Sequence, residues 1–168
     1  IEIIDNIALA FVLPNTIPAG VHGVTVNHPV LMGEPPVLHQ GVVSVAEPFI
    51  LSPQVVNIQV SNITGTGVAL RSADVALKVS PGIGMQQKVN LLLNEFSNGA
   101  AIPVPHSYSF PLVQASPLSP VDPVEDIVVS IKNVAAGSYL VRIQVDGAES
   151  PLGADPNGKY NSPQLVII

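Results

Sequence analysis

Cysteine and tryptophan are both absent from this sequence, and aromatic residues make up only 4% of its 168 positions. The absence of cysteine excludes disulfide bonds and any zinc site with cysteine ligands. Carbohydrate-binding surfaces usually stack aromatic side chains against sugar rings, so the shortage of aromatic residues weighs against that function.

Positive charge is also scarce. The chain has six Lys and Arg residues against twelve Asp and Glu residues, so its net charge is -6. A chain without a basic stripe is a poor ligand for a phosphate backbone, so we expect no nucleic-acid partner. Anionic membrane surfaces are disfavoured for the same reason. No apolar run approaches the roughly 20 residues of a membrane-spanning helix, so no membrane span is predicted.

Residue patterns typical of catalysis are missing as well. The chain has no G-x-S-x-G motif of a serine hydrolase. Two pairs of glycines, Gly65 with Gly67 and Gly82 with Gly84, are not followed by the helix or by the Lys-Ser/Thr pair of a phosphate-binding loop. The sequence therefore predicts a protein that is not an enzyme, with no catalytic residues and no cofactor.

Histidines offer one candidate metal site. His28 and His39 share a predicted loop with Glu34, whose carboxylate could be the third ligand of a zinc ion. No two of the four histidines have the H-x-x-x-H spacing of a zinc helix. Solvated loop histidines are therefore the preferred interpretation, and no metal site is predicted.

A cluster of oxygen-bearing side chains near the C-terminus offers a second candidate, for calcium. It runs from Asp146 through Glu149 to Asp155, and its spacing matches no EF-hand loop. Asp146-Gly147 and Asn157-Gly158 are also ordinary hairpin turn pairs. Whether calcium binds here is an open alternative at this point. Two further polar features are interpreted as surface groups. They are the acidic residues near prolines, Asp122, Glu125 and Asp126, and the chance glycosylation triplet at Asn62.

Aliphatic residues dominate what is present. Hydrophobic residues make up 47% of the chain, mostly Val, Ile and Leu in short runs, with 17 Pro and 13 Gly between many of them. Such runs alternate apolar and polar positions, which is typical of strands with one buried face. No stretch of ten residues shows a helical period. The predicted strands cover residues 7–13, 21–27, 42–51, 55–60, 73–79, 87–96, 107–113, 127–131, 138–146 and 165–168, and the predicted loops and turns cover residues 28–40, 80–84, 115–123 and 147–162.

Seven or so of these strands follow residue 50, which is the number and spacing of an immunoglobulin-like β-sandwich. We therefore predict an all-β chain with a complete sandwich domain over residues 51–168. The three strands of residues 1–50 are too few for a sandwich. They are interpreted as the terminal strands of a second immunoglobulin-like domain, and a start at Ile1 without an initiator Met or a leader suggests a fragment of a longer protein.

A tyrosine corner is predicted at Tyr139. This residue leads a strand directly after the corner Ala135-Ala136-Gly137-Ser138. In a tyrosine corner the buried hydroxyl bonds back to the backbone a few residues upstream, and the alternative is an ordinary core tyrosine.

Three segments resemble one known family. They are Ser80-Pro81-Gly82-Ile83-Gly84-Met85-Gln86-Gln87 with the strand that follows, Ala19-Gly20-Val21-His22-Gly23-Val24-Thr25-Val26, and Gly137-Ser138-Tyr139-Leu140-Val141-Arg142-Ile143-Gln144-Val145-Asp146-Gly147-Ala148-Glu149-Ser150-Pro151-Leu152. Together they resemble the C-terminal half of the cap, or tube-and-sheath terminator, proteins of phage-tail-like extracellular contractile injection systems. The last segment carries most of the resemblance.

The resemblance implies immunoglobulin-like domains of the IPT/TIG kind and a structural role. The expected partners are sheath and tube proteins and copies of this chain, in a particle assembled in the bacterial cytoplasm that can be released. Candidate contact surfaces are the Pro-rich segments Pro29 to Gln40 and Ala115 to Pro123. The alternative function is a secreted or surface adhesion module that binds glycan or protein.

Overall fold

The structure is a computed structural model that describes residues 2–5, 8–97, 104–113 and 123–168. These residues form sixteen β-strands. They contain no helix, and therefore none that is long and apolar enough to span a membrane. The predicted all-β fold is confirmed.

Two antiparallel sheets form a β-sandwich of the immunoglobulin-like kind. The first sheet has the order β11-β8-β7, and its strands are β7 (Gln54–Thr64), β8 (Arg71–Ile83) and β11 (Val124–Val134). The second sheet runs β10-β9-β12, and β13 and β16 pair with the other edge of β12. Its strands are β9 (Val89–Glu95), β10 (Ser107–Pro111), β12 (Gly137–Val145), β13 (Ala148–Glu149) and β16 (Gln164–Ile167).

The core lies between the two sheets and is built from alternate residues of each long strand. The sequence predicted one inward face on β8 and one on β9, and the structure confirms both. The inward residues are Val75, Leu77 and Val79 on β8 and Val89, Leu91 and Leu93 on β9. Strands β11, β12 and β16 contribute further buried aliphatic side chains from the same alternation. Each fully buried aliphatic side chain stabilises the fold by about 1.5–3 kcal/mol.

The predicted turn at residues 80–84 is wrong, because β8 continues through Ile83. Asp126 pairs with Lys78, and Val124 pairs with Ile83. Between these two pairs, four residues of β8 lie opposite one residue of β11, which makes a β-bulge. Pro81 lies within this bulge. A bulge leaves residues outside the hydrogen-bonded ladder, so a proline without an N–H can occupy a strand that is otherwise central.

The region of residues 147–162, predicted as a polar turn, contains β13 and one further short hairpin. Its strands are β14 (Gly153–Ala154) and β15 (Tyr160–Ser162). Most of the predicted loop at residues 115–123 lies outside the described residues.

Residues before the sandwich form three two-stranded ribbons. Their strands are β1 (Glu2–Asp5) with β2 (Ala8–Ala10), β3 (Gly20–Val24) with β6 (Glu47–Leu51), and β4 (Asn27–Met32) with β5 (Val37–Val43). The predicted loop at residues 28–40 is therefore wrong, and the predicted strand at residues 42–51 is interrupted at residues 44–46. A two-stranded ribbon has open edges, so Pro29 fits in β4 at the cost of no ladder bond. Assignment of these strands to a second immunoglobulin-like domain stays a prediction.

Candidate functional site

A long β-ribbon formed by residues 20–51 is the candidate functional site, and we call it the arm. Strands β3 and β6 form its root, and β4 and β5 form its outer part, which we call the tip hairpin. The two parts are continuous, because the Ser44 N–H donates to the Val26 carbonyl at 2.9 Å and the Ser44 hydroxyl accepts from the Val26 N–H at 2.9 Å. The turn at residues 33–36 closes the hairpin.

The register of the tip hairpin sets which side chains share a face. His28 pairs with Val42, Val30 with His39, and Met32 with Val37. Directly paired residues lie on the same face of a sheet, as do alternate residues of one strand. One face therefore carries these six side chains, and the other carries Leu31 opposite Leu38.

Gly41 lies in a bulge of β5 between the pairs of His28 and Val30. A Cβ atom at this position would lie 2.1 Å from the carbonyl oxygen of His28 and 2.7 Å from a methyl group of Val30. The two strands approach too closely here for any side chain. Glycine at residue 41 is therefore required by the register that places the tip hairpin's side chains.

Both faces of the tip hairpin are exposed. Val42 is 76% exposed, Leu38 65% and Leu31 64%, whereas the inward side chains of the sandwich are almost completely buried. The other exposed apolar residues of the hairpin are Val30, Met32, Val37 and Val43. Exposed apolar surface of this extent is typical of an interaction site.

Charge does not protect this hairpin. Glu34, in the turn, is its one charged residue from Asn27 to Val43. Natural proteins usually protect open strand edges with lysine or other charges, with proline, with β-bulges or with short strands. Within the described part of the chain, β4 and β5 pair only with each other. The tip hairpin thus presents two open edges. β4 contains Pro29, and β5 has neither a charge nor a proline but contains the bulge at Gly41.

The root of the arm is fixed to the sandwich at Ala19 and Gly20. Ala19 is fully buried with the sandwich core, and its N–H donates to the Gly82 carbonyl at 2.9 Å. The Gln87 side chain donates to the Ala19 carbonyl at 2.7 Å and to an Asp146 carboxylate oxygen at 3.0 Å. Through these bonds one amide side chain holds the arm against the sandwich.

Gly20 is needed for this attachment. Its φ is +133°, which side chains rarely tolerate, and a Cβ atom there would lie 2.7 Å from the Gln87 amide nitrogen. The Gln87 side-chain oxygen in turn accepts from the Gly84 N–H at 2.7 Å. The side chain is therefore held in place from both ends of its amide.

The zinc candidates are not brought together as a ligand set. His28 and His39 lie on paired strands, Glu34 lies in the turn, and no group of three potential ligands occurs among the described residues. The remaining histidines have other partners. His22 Nε2 lies 2.8 Å from the Pro18 carbonyl, and His106 pairs with Glu95.

The calcium candidates are engaged separately. Asp146 accepts from the Lys88 N–H at 2.9 Å, and Glu149 pairs with Arg142 at 2.5 Å. Asp155 accepts from the backbone N–H groups of residues 157 and 159. Each carboxylate therefore has its own hydrogen-bond or ion-pair partners, and the three do not form a shared site.

The remaining polar candidates lie on the surface. Glu125 forms an exposed ion pair with Lys78 at 3.3 Å, and such pairs contribute little to stability. The Asn62 side chain donates to Asp74 at 2.8 Å. Asp122 lies outside the described residues.

The predicted tyrosine corner is confirmed. Tyr139 is fully buried, and its hydroxyl donates to the Ala135 carbonyl at 2.7 Å. The Ala135 N–H donates to the Tyr108 hydroxyl at 3.1 Å, and the two tyrosine rings meet edge to face at 5.9 Å between centroids. Burial raises the pKa of Tyr139, and the nearby Tyr108 and Glu95 add to this effect.

One pair was missed by the sequence analysis. The Glu95 carboxylate accepts from the His106 backbone N–H at 2.9 Å and lies 2.6 Å from the His106 ring nitrogen Nδ1. These two bonds, first from the backbone and then from the ring, lower the pKa of Glu95. Pairing of β9 with β10 brings the residues together, and no local sequence signal marks them.

Comparison with protein families matches residues 48–166 of the chain to a family model. The chain belongs to the DUF8756 family, a domain of unknown function. The DUF8756 match covers the sandwich strands except for Ile167, and only the last four residues of the arm, so the tip hairpin lies outside it. No curated protein and no solved structure matches the chain.

Proposed function

We propose that this chain is a structural module, the immunoglobulin-like C-terminal region of the cap protein of a contractile injection system. The support for an assembly role is the exposed tip hairpin, which carries a single charge and is anchored through Gln87 to a β-sandwich. The support for this particular kind of particle is the sequence resemblance, above all in the segment that begins at Gly137. IPT/TIG-like character belongs to the same proposal.

The mechanism of such a module is geometric. Burial of apolar surface between proteins drives association, and an open strand edge can be extended by a strand of a partner. In this proposal the sandwich supplies a rigid base and the arm supplies the contact. Sheath and tube proteins and copies of this chain are the partners, and the particle is assembled in the bacterial cytoplasm before any release. The proposal includes no catalysis, cofactor or nucleic acid.

Proteomics of purified particles tests this role. High-molecular-mass particles are isolated from the source organism, and mass spectrometry measures this chain relative to sheath and tube proteins. We expect the chain to co-purify at low copy number relative to sheath, and imaging to place it at one end. Particles that contain sheath and tube but lack the chain would overturn the cap proposal, and a secreted or surface adhesion module would become the working hypothesis.

A further inference from the structure

A cleft of about 300 Å³ lies on the outer face of the second sheet, away from the arm. The residues that line it are Arg142, Ser150, Pro151, Leu152 and Tyr160. Arg142 belongs to β12 and Tyr160 to β15, so the sheet forms one side of the cleft and the short hairpin of β14 and β15 forms another. Ligand pockets begin at about this volume, so the cleft has room for one small molecule or for one unit of a larger one.

Arg142 is held in place by a network of planar side chains. Its guanidinium donates to the Glu149 carboxylate at 2.5 Å and to the Asn94 side-chain oxygen at 3.2 Å. The Gln144 side chain donates to the second Glu149 oxygen at 3.1 Å. The network uses two of the five N–H groups of the guanidinium, and a third, on Nε, is buried. Two N–H groups therefore remain for a ligand, on a guanidinium whose charge a carboxylate already neutralises.

Ser150 fixes a second part of the cleft. Its N–H donates to the Ile143 carbonyl at 2.8 Å, and its hydroxyl accepts from the Ile143 N–H at 2.9 Å. Ser150 is 2% exposed, so water does not compete for these two bonds. They hold the start of the segment that continues into Pro151 and Leu152, which form an apolar wall. A wall that is already in place lowers the ordering cost of binding.

Tyr160 gives the cleft an aromatic ring. The residue is 57% exposed, and its hydroxyl has no hydrogen-bond partner in the part of the chain that the structure describes. A tyrosine side chain combines an apolar ring with a hydroxyl that both donates and accepts. Planar polar groups and an apolar ring in one cleft match a ligand that carries hydroxyl groups and C–H groups together, as a sugar ring does. An anion gains little here, because Glu149 already pairs with Arg142.

We propose that this cleft binds the terminal sugar unit of a neutral glycan. The C–H groups of the sugar pack against the Tyr160 ring, and its hydroxyl groups accept from the two remaining N–H groups of Arg142. The shortage of aromatic residues in the chain weighs against a platform of several stacked rings, whereas a single sugar unit needs one ring. The inference goes beyond the assembly role and does not depend on it, because the tip hairpin contributes no residue to the cleft.

Chemical-shift mapping of the ¹⁵N-labelled full chain tests the site. The probes are the methyl glycosides of the common neutral hexoses, N-acetylhexosamines and deoxyhexoses, because a methyl glycoside has the linked anomeric carbon of a terminal unit. We expect at least one probe to shift the amide signals of Arg142, Leu152 and Tyr160, with a dissociation constant in the millimolar range. Tyr160→Ala should weaken binding about tenfold, whereas Tyr160→Phe, which keeps the ring, should retain most of it.

Two further variants separate the cleft from the rest of the surface. Arg142→Lys keeps the positive charge but removes the planar group, so it should also weaken binding. Asn57→Ala is the matched control, because Asn57 lines a cleft of about 260 Å³ on the first sheet that has no aromatic residue, and this variant should bind as the unmodified chain does. A panel that shifts no signal at the Tyr160 cleft would overturn the proposal. So would equal shifts at both clefts, or binding that Tyr160→Ala and Arg142→Lys leave unchanged.

Discussion

Removal of the Tyr139 hydroxyl measures the strength of the tyrosine corner. In Tyr139→Phe the ring and its edge-to-face contact with Tyr108 are retained, so the substitution deletes the hydrogen bonds of the hydroxyl and little else. The deleted bond is short and buried, 2.7 Å from the hydroxyl to the Ala135 carbonyl. The substitution leaves that carbonyl without its donor. We expect the free energy of unfolding to fall by about 1–3 kcal/mol.

Chemical denaturation followed by circular dichroism measures this loss as a lower midpoint at an unchanged slope. Tyr160→Phe is the control, because Tyr160 is 57% exposed, and its effect should stay within about 0.5 kcal/mol. Tyr108→Phe removes the acceptor of the Ala135 N–H, so the double variant should show a coupling of about 0.5 kcal/mol or more. An unchanged midpoint in Tyr139→Phe would contradict this prediction, because the corner would then contribute nothing to stability.

Three further predictions concern the arm and one ion pair. Gly41→Ala should disrupt the tip hairpin and leave the sandwich intact. Amide hydrogen exchange would show this as a loss of protection confined to β4 and β5. Full protection of these strands would contradict the close approach of the backbone at residue 41. Gln87→Ala should lower the free energy of unfolding by about 1–2 kcal/mol and increase the mobility of the arm, as measured by ¹⁵N relaxation. Gln86→Ala, at an exposed neighbouring residue, should have neither effect. Equal effects of the two variants would show that Gln87 does not hold the root. The Glu95 pKa is lowered in the folded state from an ordinary 4.5, so its contribution to stability is present above about pH 5 and is lost as the pH falls through the folded pKa. Glu95→Gln should remove that part of the pH dependence, and an unchanged acid unfolding curve would contradict it.

The sandwich was predictable because burial on one face leaves a period of two in the sequence. On β8, Val75, Leu77 and Val79 alternate with polar or small residues, and the alternation reports the inward face directly. Tyr139 was predictable for a related reason, since its corner is local and its hydrogen-bond partner lies four residues away. Both features depend on contacts that leave a signal within a few residues.

The tip hairpin was not predictable in this way. Both of its faces are exposed, so its apolar residues occur as runs such as Val30-Leu31-Met32 rather than in alternation. Its prolines also favour a loop, because proline is excluded from a strand that is hydrogen-bonded to neighbouring strands on both sides. A two-stranded ribbon escapes that rule because each strand has one open edge.

Local sequence patterns also could not predict contacts between residues that are far apart in the sequence. Gln87 meets Ala19 across 68 positions, and Glu95 meets His106 through the register of β9 with β10. From the sequence alone, Gln87 and Glu95 are equally compatible with a solvated surface position. The partner becomes evident only when the sheet order is known.

In the proposed function, the tip hairpin is the surface through which the chain is assembled into particles. The most direct test is competitive incorporation into particles, with the unmodified chain and the Val42→Lys chain co-expressed under different tags and their ratio measured by mass spectrometry. We expect Val42→Lys to be depleted in particles relative to the cell lysate. Val128→Lys is the matched control, because Val128 is 57% exposed on β11, and it should be incorporated as the unmodified chain is. Equal incorporation of Val42→Lys and the unmodified chain would contradict the claim.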